Sequence, residues 1–258
     1  MNKYNFSDLA VKYGAWSLSK ANVATQCNYR FQLQYIEKKK QKAVVDSRGR
    51  VGSAAHKALE LIMKGEEIGR AFTKAAVDDA LTTKEVDDLV SYRTNILSFI
   101  ERVKKYKERN PITKEFIEYK FGLDIDLKPT TFFAKNVFFR GVWDVALLLE
   151  KKAFIIIDHK TGQEMPMSKY NDQLHSYAVA ARSLQPDLIG AQSALHYIKT
   201  EKIDWAKFIP KEDIDEILIP WFVKFINDSA SNLTNEIKPV KGWYCTFCGY
   251  KDDCPAWA

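Results

Sequence analysis

Residues 140–162, RGVWDVALLLEKKAFIIIDHKTG, constrain the fold more than any other stretch of the chain. Two apolar runs rich in β-branched and aromatic residues, separated only by Glu150, Lys151 and Lys152, read as strands. So short a connection predicts an antiparallel pair. Each run also carries a carboxylate near one end: Asp144 after Arg140-Gly141, and Asp158 beside His159 and Lys160. Side chains alternate along a strand, so Asp158 and Lys160 share a face and His159 points away. A tight turn would let the two aspartates approach each other. Paired carboxylates repel unless a cation lies between them, and oxygen ligands of this kind suit Mg²⁺ or Mn²⁺. A lysine beside that cation can orient or deprotonate a water, or neutralise a phosphate in the transition state. On these residues alone, an ordinary cross-strand ion pair of Lys160 with either aspartate is the simpler reading.

The rest of the chain sets this hairpin in an α/β frame. Apolar residues at three- and four-residue spacing predict helices over 18–36, 50–64 and about 83–109, the last ended by Asn110-Pro111. The period then changes, and 115–127, 136–150 and 153–161 read as strands. A helix over 171–184, a strand over 190–200, a helix over about 211–235 and a short cysteine-bearing tail follow. With no repeat and no long linker, the expectation is one domain over 1–258: a helical part (1–110), a core (111–205), and a C-terminal helix and tail (206–258).

Composition excludes little. A chain of 258 residues with 46% apolar side chains can bury a sizeable core, and 28% charged residues without low-complexity tracts argue against disorder. The net charge of +6 suits a nucleic-acid partner, and suits many ordinary soluble proteins equally. No run of about 18 apolar residues predicts a membrane span. The start, MNKYNFSDLAVKYGAW, lacks a secretory h-region, so an intracellular protein with reduced thiols is expected. No phosphate-binding loop of the ATPase type occurs. Ser17-x-x-Lys20 with Lys160-Thr161-Gly162 mimics two signatures of penicillin-binding proteins, but the third signature and an export signal are missing.

Two weaker signals join the aspartates. GSAAHKALE sets His56 on a helix beside Ala54, Ala55 and Ala58, and DQLHSYAVAA sets Gln173 and Tyr177 on one helical face. Singly, these are a satisfied histidine and a polar helix edge. As an ordered set, Gly52-x-x-x-His56, Gly141-x-x-Asp144, Asp158-x-Lys160 and Gln173-x-x-x-Tyr177 resemble the RecB-like branch of the PD-(D/E)XK nucleases. That branch includes the nuclease domains of RecB and AddB and the CRISPR-associated RecB-like exonucleases. The resemblance implies a restriction-endonuclease-like mixed β-sheet core flanked by helices. It implies that His56, Asp144 and Asp158, with the carbonyl of His159, are metal ligands and that Lys160 is catalytic. Gln173 and Tyr177 would line the DNA or the active-site wall. Imidazole tilts such a site from Mg²⁺ toward Mn²⁺.

The activity implied is metal-dependent hydrolysis of DNA phosphodiesters, from single strands or open ends, with room for a helicase or repair partner. Arg30, Arg48, Arg50, Lys57, Arg140 and Tyr170 are candidates to track the strand. The competing class is a non-catalytic DNA-end-binding or adapter protein of the same fold. The intact Asp144, Asp158 and Lys160 argue against it.

The four cysteines form a second signal. Cys245, Cys248 and Cys254 lie in GWYCTFCGYKDDCPAW, and Cys27 lies over 200 residues upstream. Cys-x-x-Cys spacing lets two thiolates clasp one metal or cluster. Zinc is the commoner occupant of four thiolates, though one distant ligand is unlike a compact zinc ribbon. The split pattern is similar to that of the iron–sulfur RecB-like nucleases, as is Cys27-x-x-Arg30-Phe31, apart from Asn28 where those proteins usually have proline. The resemblance implies a structural [4Fe-4S] cluster stapling the two ends.

Overall fold

The computed structural model describes residues 3–42 and 47–257. In chain order the helices α1 (Asp8–Lys12), α2 (Leu18–Gln26), α3 (Asn28–Phe31), α4 (Ser47–Met63), α5 (Ile68–Asp78), α6 (Thr83–Ser91) and α7 (Arg93–Arg109) come first. Strands β1 (Ile112–Leu123), β2 (Pro129–Thr130), β3 (Phe139–Leu149) and β4 (Ala153–Lys160) follow, then α8 (Asn171–Leu184). The chain continues through β5 (Gly190–Tyr197), β6 (Lys202–Trp205), β7 (Ile209–Pro210), α9 (Lys211–Asp213) and α10 (Ile219–Ser231). Two units result: the first from Met1–Val45, Phe121–Gly141 and Glu216–Ala258, the second from Asp46–Lys120 and Val142–Asp215.

The second unit holds the body of a mixed sheet, in the order β1-β3-β4-β5-β6, with β7 also on β5. β3 and β4 pair antiparallel from Leu148↔Phe154 to Val145↔Ile157, as the three-residue connection predicts. β4 and β5 run parallel, from Ala153↔Gly190 to Lys160↔Tyr197, and α8 makes the crossover. A parallel connection needs such a crossover, which places α8 against the strand that carries Asp158 and Lys160.

On one side of the sheet Val145, Leu147, Ile155 and Ile157 meet Ala54, Ala55, Ala58 and Leu59 of α4 and Phe99 of α7. The alanine face lets α4 approach closely. Gly52 marks the closest point: a Cβ there would lie 2.5 Å from Thr161 Oγ1. Other aromatic contacts cluster around Trp143, 5.8 Å from Phe116 and 5.3 Å from Phe154 between ring centroids. Each large apolar side chain buried this completely contributes roughly 1.5–3 kcal/mol.

The first unit has its own core. Phe6 packs on Phe138 and Phe222, and Trp16 pairs with Phe139 through a short parallel bridge. Gly141 is required here, because a Cβ would sit 2.5 Å from the Phe121 ring. α2 and α10 pack together, with Thr25 Oγ1 3.3 Å from Ser229 Oγ.

Several elements differ from the sequence expectation. The predicted helix over 18–36 breaks at Cys27, whose extended backbone (φ −159°, ψ 105°) ends α2 and caps α3. Tyr92 divides the helix over 83–109 into α6 and α7. β1 starts at Ile112 and stops at Leu123, because the Asp124 carboxylate accepts from the amides of Asp126 and Lys128 and closes a turn. α1, α5 and β6 are additional. α5 is capped by Glu67, whose carboxylate accepts from the Gly69 and Arg70 amides, in a position where Ser, Thr, Asp or Asn is the usual signal.

Candidate metal centre and cysteine cavity

At the open end of the β3–β4 ladder the strands stop pairing main chain to main chain. The His159 amide donates 2.6 Å to the Asp144 carboxylate instead. His56, one face of α4 away from the core alanines, brings Nδ1 to 3.5 Å from the same Asp144 oxygen. Glu118 of β1 completes the group: one ligand atom from each of His56, Glu118 and Asp144 lies within 4.8 Å of the others. The three border an open cleft of about 510 Å³ with Ser53, Lys57 and Thr161.

The three groups shift one another's titration. Burial and the negative charge of Asp144 push the Glu118 carboxyl up to about 7. Burial works against a charged His56, yet the hydrogen bond and charge of Asp144 hold its pKa above the ordinary value. The reciprocal contact holds Asp144 below the usual carboxylate range despite its burial. Glu118 also sits at φ +49°, a conformation that non-glycine residues rarely adopt and that costs on the order of 1–3 kcal/mol. Strain of this kind concentrates where a side chain must be aimed.

Asp158 turns to a different set of partners. Its carboxylate pairs with the Lys160 ammonium, confirming that the two share a face. Gln173 and Tyr177 of α8 donate to Asp158 Oδ1 at 2.8 and 2.9 Å. Gln173 Oε1 accepts 2.9 Å from Lys160 Nζ, so one amide fixes both members of the ion pair. The ammonium also lies 4.8 Å from the Tyr170 ring centroid. Burial and the nearby Asp144 charge raise the Asp158 pKa. Asp158 thereby feels Asp144, but it is not one of the three closely grouped donors.

His159 points away from this network, as alternation requires. Its Nδ1 lies 2.9 Å from Nδ1 of His196, and the Phe99 ring stacks on His196 at 4.2 Å. Burial drops both imidazoles to about 3, so the pair is neutral.

The sequence motifs thus meet in one region: His56, Asp144, Asp158, His159, Lys160, Gln173 and Tyr177 all lie in the second unit. Glu118 is the residue the motif reading passed over. Its signal was an acid flanked by Ile117 and Tyr119 in a strand that also carries Lys114, Glu115 and Lys120, so nothing in the pattern set it apart.

The cysteines lie in the first unit, and Cys27, Cys245, Cys248 and Cys254 line one cavity with Arg30, Tyr244, Tyr250 and Trp257. Main-chain amides point at the sulfurs. Arg30 N and Val240 N lie 3.4 and 3.5 Å from Cys27 Sγ, and Gly242 N lies 3.4 Å from Cys245 Sγ.

Taken together, the mixed sheet, its flanking helices and the carboxylate–lysine region are those of a restriction-endonuclease-like fold. The chain belongs to the PD-(D/E)XK nuclease superfamily, whose family model matches residues 15–255. No curated protein matches it in sequence. Among solved structures it is similar to one named "Putative exonuclease" from Eubacterium rectale. That likeness has a TM-score of 0.51 at 12% identity and covers 91% of this chain and 88% of the other. It is also similar to SSO0001, with a TM-score of 0.41, 13% identity and coverage of 95% and 87%. No helix among the described residues is long and apolar enough to cross a membrane.

Proposed function

We propose that this chain is a metal-dependent DNA nuclease of the iron–sulfur, RecB-like branch, acting as an exonuclease on single strands or DNA ends. The observation that carries the reading is the grouping of His56, Glu118 and Asp144 beside the Asp158–Lys160 pair. One imidazole and two carboxylates are the donor chemistry of Mn²⁺ or Mg²⁺, and burial followed by the charge of Asp144 raises the Glu118 pKa at that group.

His56, Glu118 and Asp144 would hold the cation, with Asp158 and the His159 carbonyl as further ligands from β4. Bound there, a divalent ion supplies Lewis acidity toward a phosphodiester oxygen and lowers the pKa of an attacking water. Lys160 holds a positive charge where a pentavalent phosphorane gathers negative charge. Gln173 fixes the direction of that ammonium through Oε1 and of Asp158 through Nε2. Tyr177, whose pKa burial raises well above the ordinary value, stays protonated and remains a donor to Asp158.

The four cysteines that line one cavity are the ligands this reading assigns to a cluster. Four thiolates on one tetrahedral zinc stand about 3.8 Å apart, given Zn–S bonds of about 2.3 Å. A four-iron cluster places each thiolate on its own iron and so accepts wider spacing. The amides aimed at Cys27 and Cys245 suit charged sulfurs.

The test is digestion of end-labelled linear and circular single-stranded DNA, and of blunt duplex, with Mn²⁺, Mg²⁺ or EDTA. Loss of linear strands only, and only with metal, is the expected result. Binding that persists in EDTA with no cutting at any metal concentration would replace the enzyme by the adapter protein.

A further inference from the structure

The second unit holds another cavity beside the cleft of His56, Glu118 and Asp144. Its volume is about 430 Å³, inside the roughly 300–1,000 Å³ of small-molecule sites. Thr161, the residue after Lys160, borders both spaces. Helix α4 runs along both as well: Gly49, Ser53 and His56 line the cleft, whereas Arg48 and Val51 line the cavity. The rest of the cavity wall comes from Asp88 and Tyr92, at the junction of α6 and α7, and from Gln163 and Lys199. The proposed metal centre uses none of these side chains.

Hydrogen bonds build this wall onto the strand that carries Lys160. The Ile198 amide donates 2.9 Å to the Lys160 carbonyl, extending the parallel β4–β5 ladder one step past Tyr197. Gly162 and Lys199, the next residues along, both line the cavity. Asn95 of α7 donates to the carbonyls of Ile198 and Lys199 at 2.9 and 3.0 Å. The Glu164 carboxylate accepts from Thr200 Oγ1 at 2.7 Å and from Lys202 Nζ at 3.1 Å, which ties down the segment bearing Gln163. The main chain is fixed, yet Gln163 and Lys199 are exposed, and neither side chain has a hydrogen bond or ion pair among the described residues. The lining is mixed. Arg48 and Lys199 supply positive charge against the carboxylate of Asp88, Tyr92 and Val51 supply apolar surface, and the Gln163 amide can donate and accept. An inorganic anion would use the cations alone. A nucleotide uses the whole set: its phosphate on the cations, its base on the ring, and its N–H or O–H donors on Asp88 and Gln163.

We infer that this cavity, through Tyr92, Gln163 and Lys199, seats one nucleotide of the strand whose phosphodiester lies at the metal centre. In naming that substrate the inference rests on the reading above. A strand laid across Thr161 passes from the cleft into the cavity, so the protein grips its substrate through groups that the cation does not use. Lys199 meets a phosphate, the Tyr92 ring stacks the base, and Gln163 reaches the base edge.

The experiment is anisotropy of a fluorescein-labelled oligo-dT of about 16 nucleotides in EDTA, where nothing is cut, from about 50 to 200 mM salt. Lys199→Gln, at an exposed position, should weaken binding about threefold to tenfold and reduce the salt slope by roughly 0.7, the single-strand value for one phosphate contact. Tyr92→Leu should weaken binding roughly fivefold or more with the slope unchanged, whereas Tyr92→Phe, which keeps the ring, should bind like the parent. A strand of the same length made wholly of abasic residues keeps the phosphates and lacks the bases. On it Tyr92→Leu should cost nothing, while Lys199→Gln should cost what it costs on oligo-dT. Lys199→Gln within about twofold of the parent at an unchanged slope overturns the seat, and this variant answers even where Tyr92→Leu fails to fold. A Tyr92→Leu loss as large on the abasic strand overturns it too, because the ring then supports the fold and not a base. So does a parent that binds neither strand at about 50 mM salt. Cleavage is read separately: a protein that binds in this way and never cuts loses the nuclease reading, and one that cuts but ignores these substitutions loses the seat alone.

Discussion

The His159 amide donates its hydrogen bond to the Asp144 side chain, 2.6 Å away, at the point where the β3–β4 ladder ends. A carboxylate that replaces a main-chain partner is held in place by the backbone of the neighbouring strand. The same oxygen lies 3.5 Å from His56 Nδ1. Asp144 therefore has a structural duty as well as a proposed ligand duty, and two substitutions separate them. Asp144→Ala leaves a buried N–H without an acceptor and should cost about 1–3 kcal/mol of stability as well as metal binding. Asp144→Asn keeps an acceptor and loses the charge, so it should melt close to the parent yet bind Mn²⁺ at least about tenfold more weakly. Thermal melts and calorimetric Mn²⁺ titration read the two effects. Parent-like Mn²⁺ affinity in Asp144→Asn would remove it from the ligand set.

Glu118 makes the metal-free protein sensitive to pH. Its folded pKa of about 7 lies above the ordinary carboxylate value, so the folded state binds the proton more tightly than the unfolded chain. The stability this contributes is fully present below the unfolded pKa and is lost as pH rises through about 7. The melting temperature in EDTA should fall between roughly pH 5 and pH 8 more steeply in the parent than in Glu118→Gln. A cation must displace the same proton, so Mn²⁺ affinity should climb over that interval and level off above it. Identical pH profiles in the parent and in Glu118→Gln would place the titration elsewhere.

Lys160 is shared between Asp158 and Gln173, and this predicts graded losses. Lys160→Ala should slow cleavage by on the order of 10²–10⁴, because a fixed charge at the reacting phosphate disappears. Gln173→Ala leaves the ammonium in place but unsteered, and should lower kcat about tenfold with KM little changed. Single-turnover rates on a labelled strand distinguish them. A fully active Lys160→Ala would reduce the pair to the plain cross-strand ion contact that the sequence also allowed.

Much of this was legible in the sequence because it depended on periodicity. Alternation put Asp158 and Lys160 on one face and His159 on the other, and four-residue spacing set Gln173 above Tyr177 on α8. The three-residue link fixed the antiparallel hairpin. What escaped was local or long-range. Cys27 takes an extended backbone and breaks a helix at a position that lines the cysteine cavity, and apolar periodicity carries no signal for that break. Glu118 escaped because its aim depends on a positive φ inside a strand, where the regular alternation used for reading no longer holds. The contacts of Gln173 and Tyr177 with Asp158 escaped too, because they depend on the docking of α8, which follows from the parallel β4–β5 crossover.

The cysteine cavity offers the last prediction. Cys27 lies at the α2–α3 break and the other three in the C-terminal tail, so a shared cluster would cross-link segments over 200 residues apart in the first unit. Closing so long a loop removes much freedom from the unfolded chain, and losing one ligand releases it. Cys248→Ser should therefore abolish the broad absorption near about 400 nm expected of a thiolate-held iron–sulfur cluster. It should also lower the melting temperature before it alters Mn²⁺ binding, because the metal centre belongs to the second unit. Iron and sulfide analysis of the anaerobically purified parent decides the occupant: about four irons per chain supports the cluster, whereas zinc without iron, surviving in a colourless and fully stable protein, overturns it.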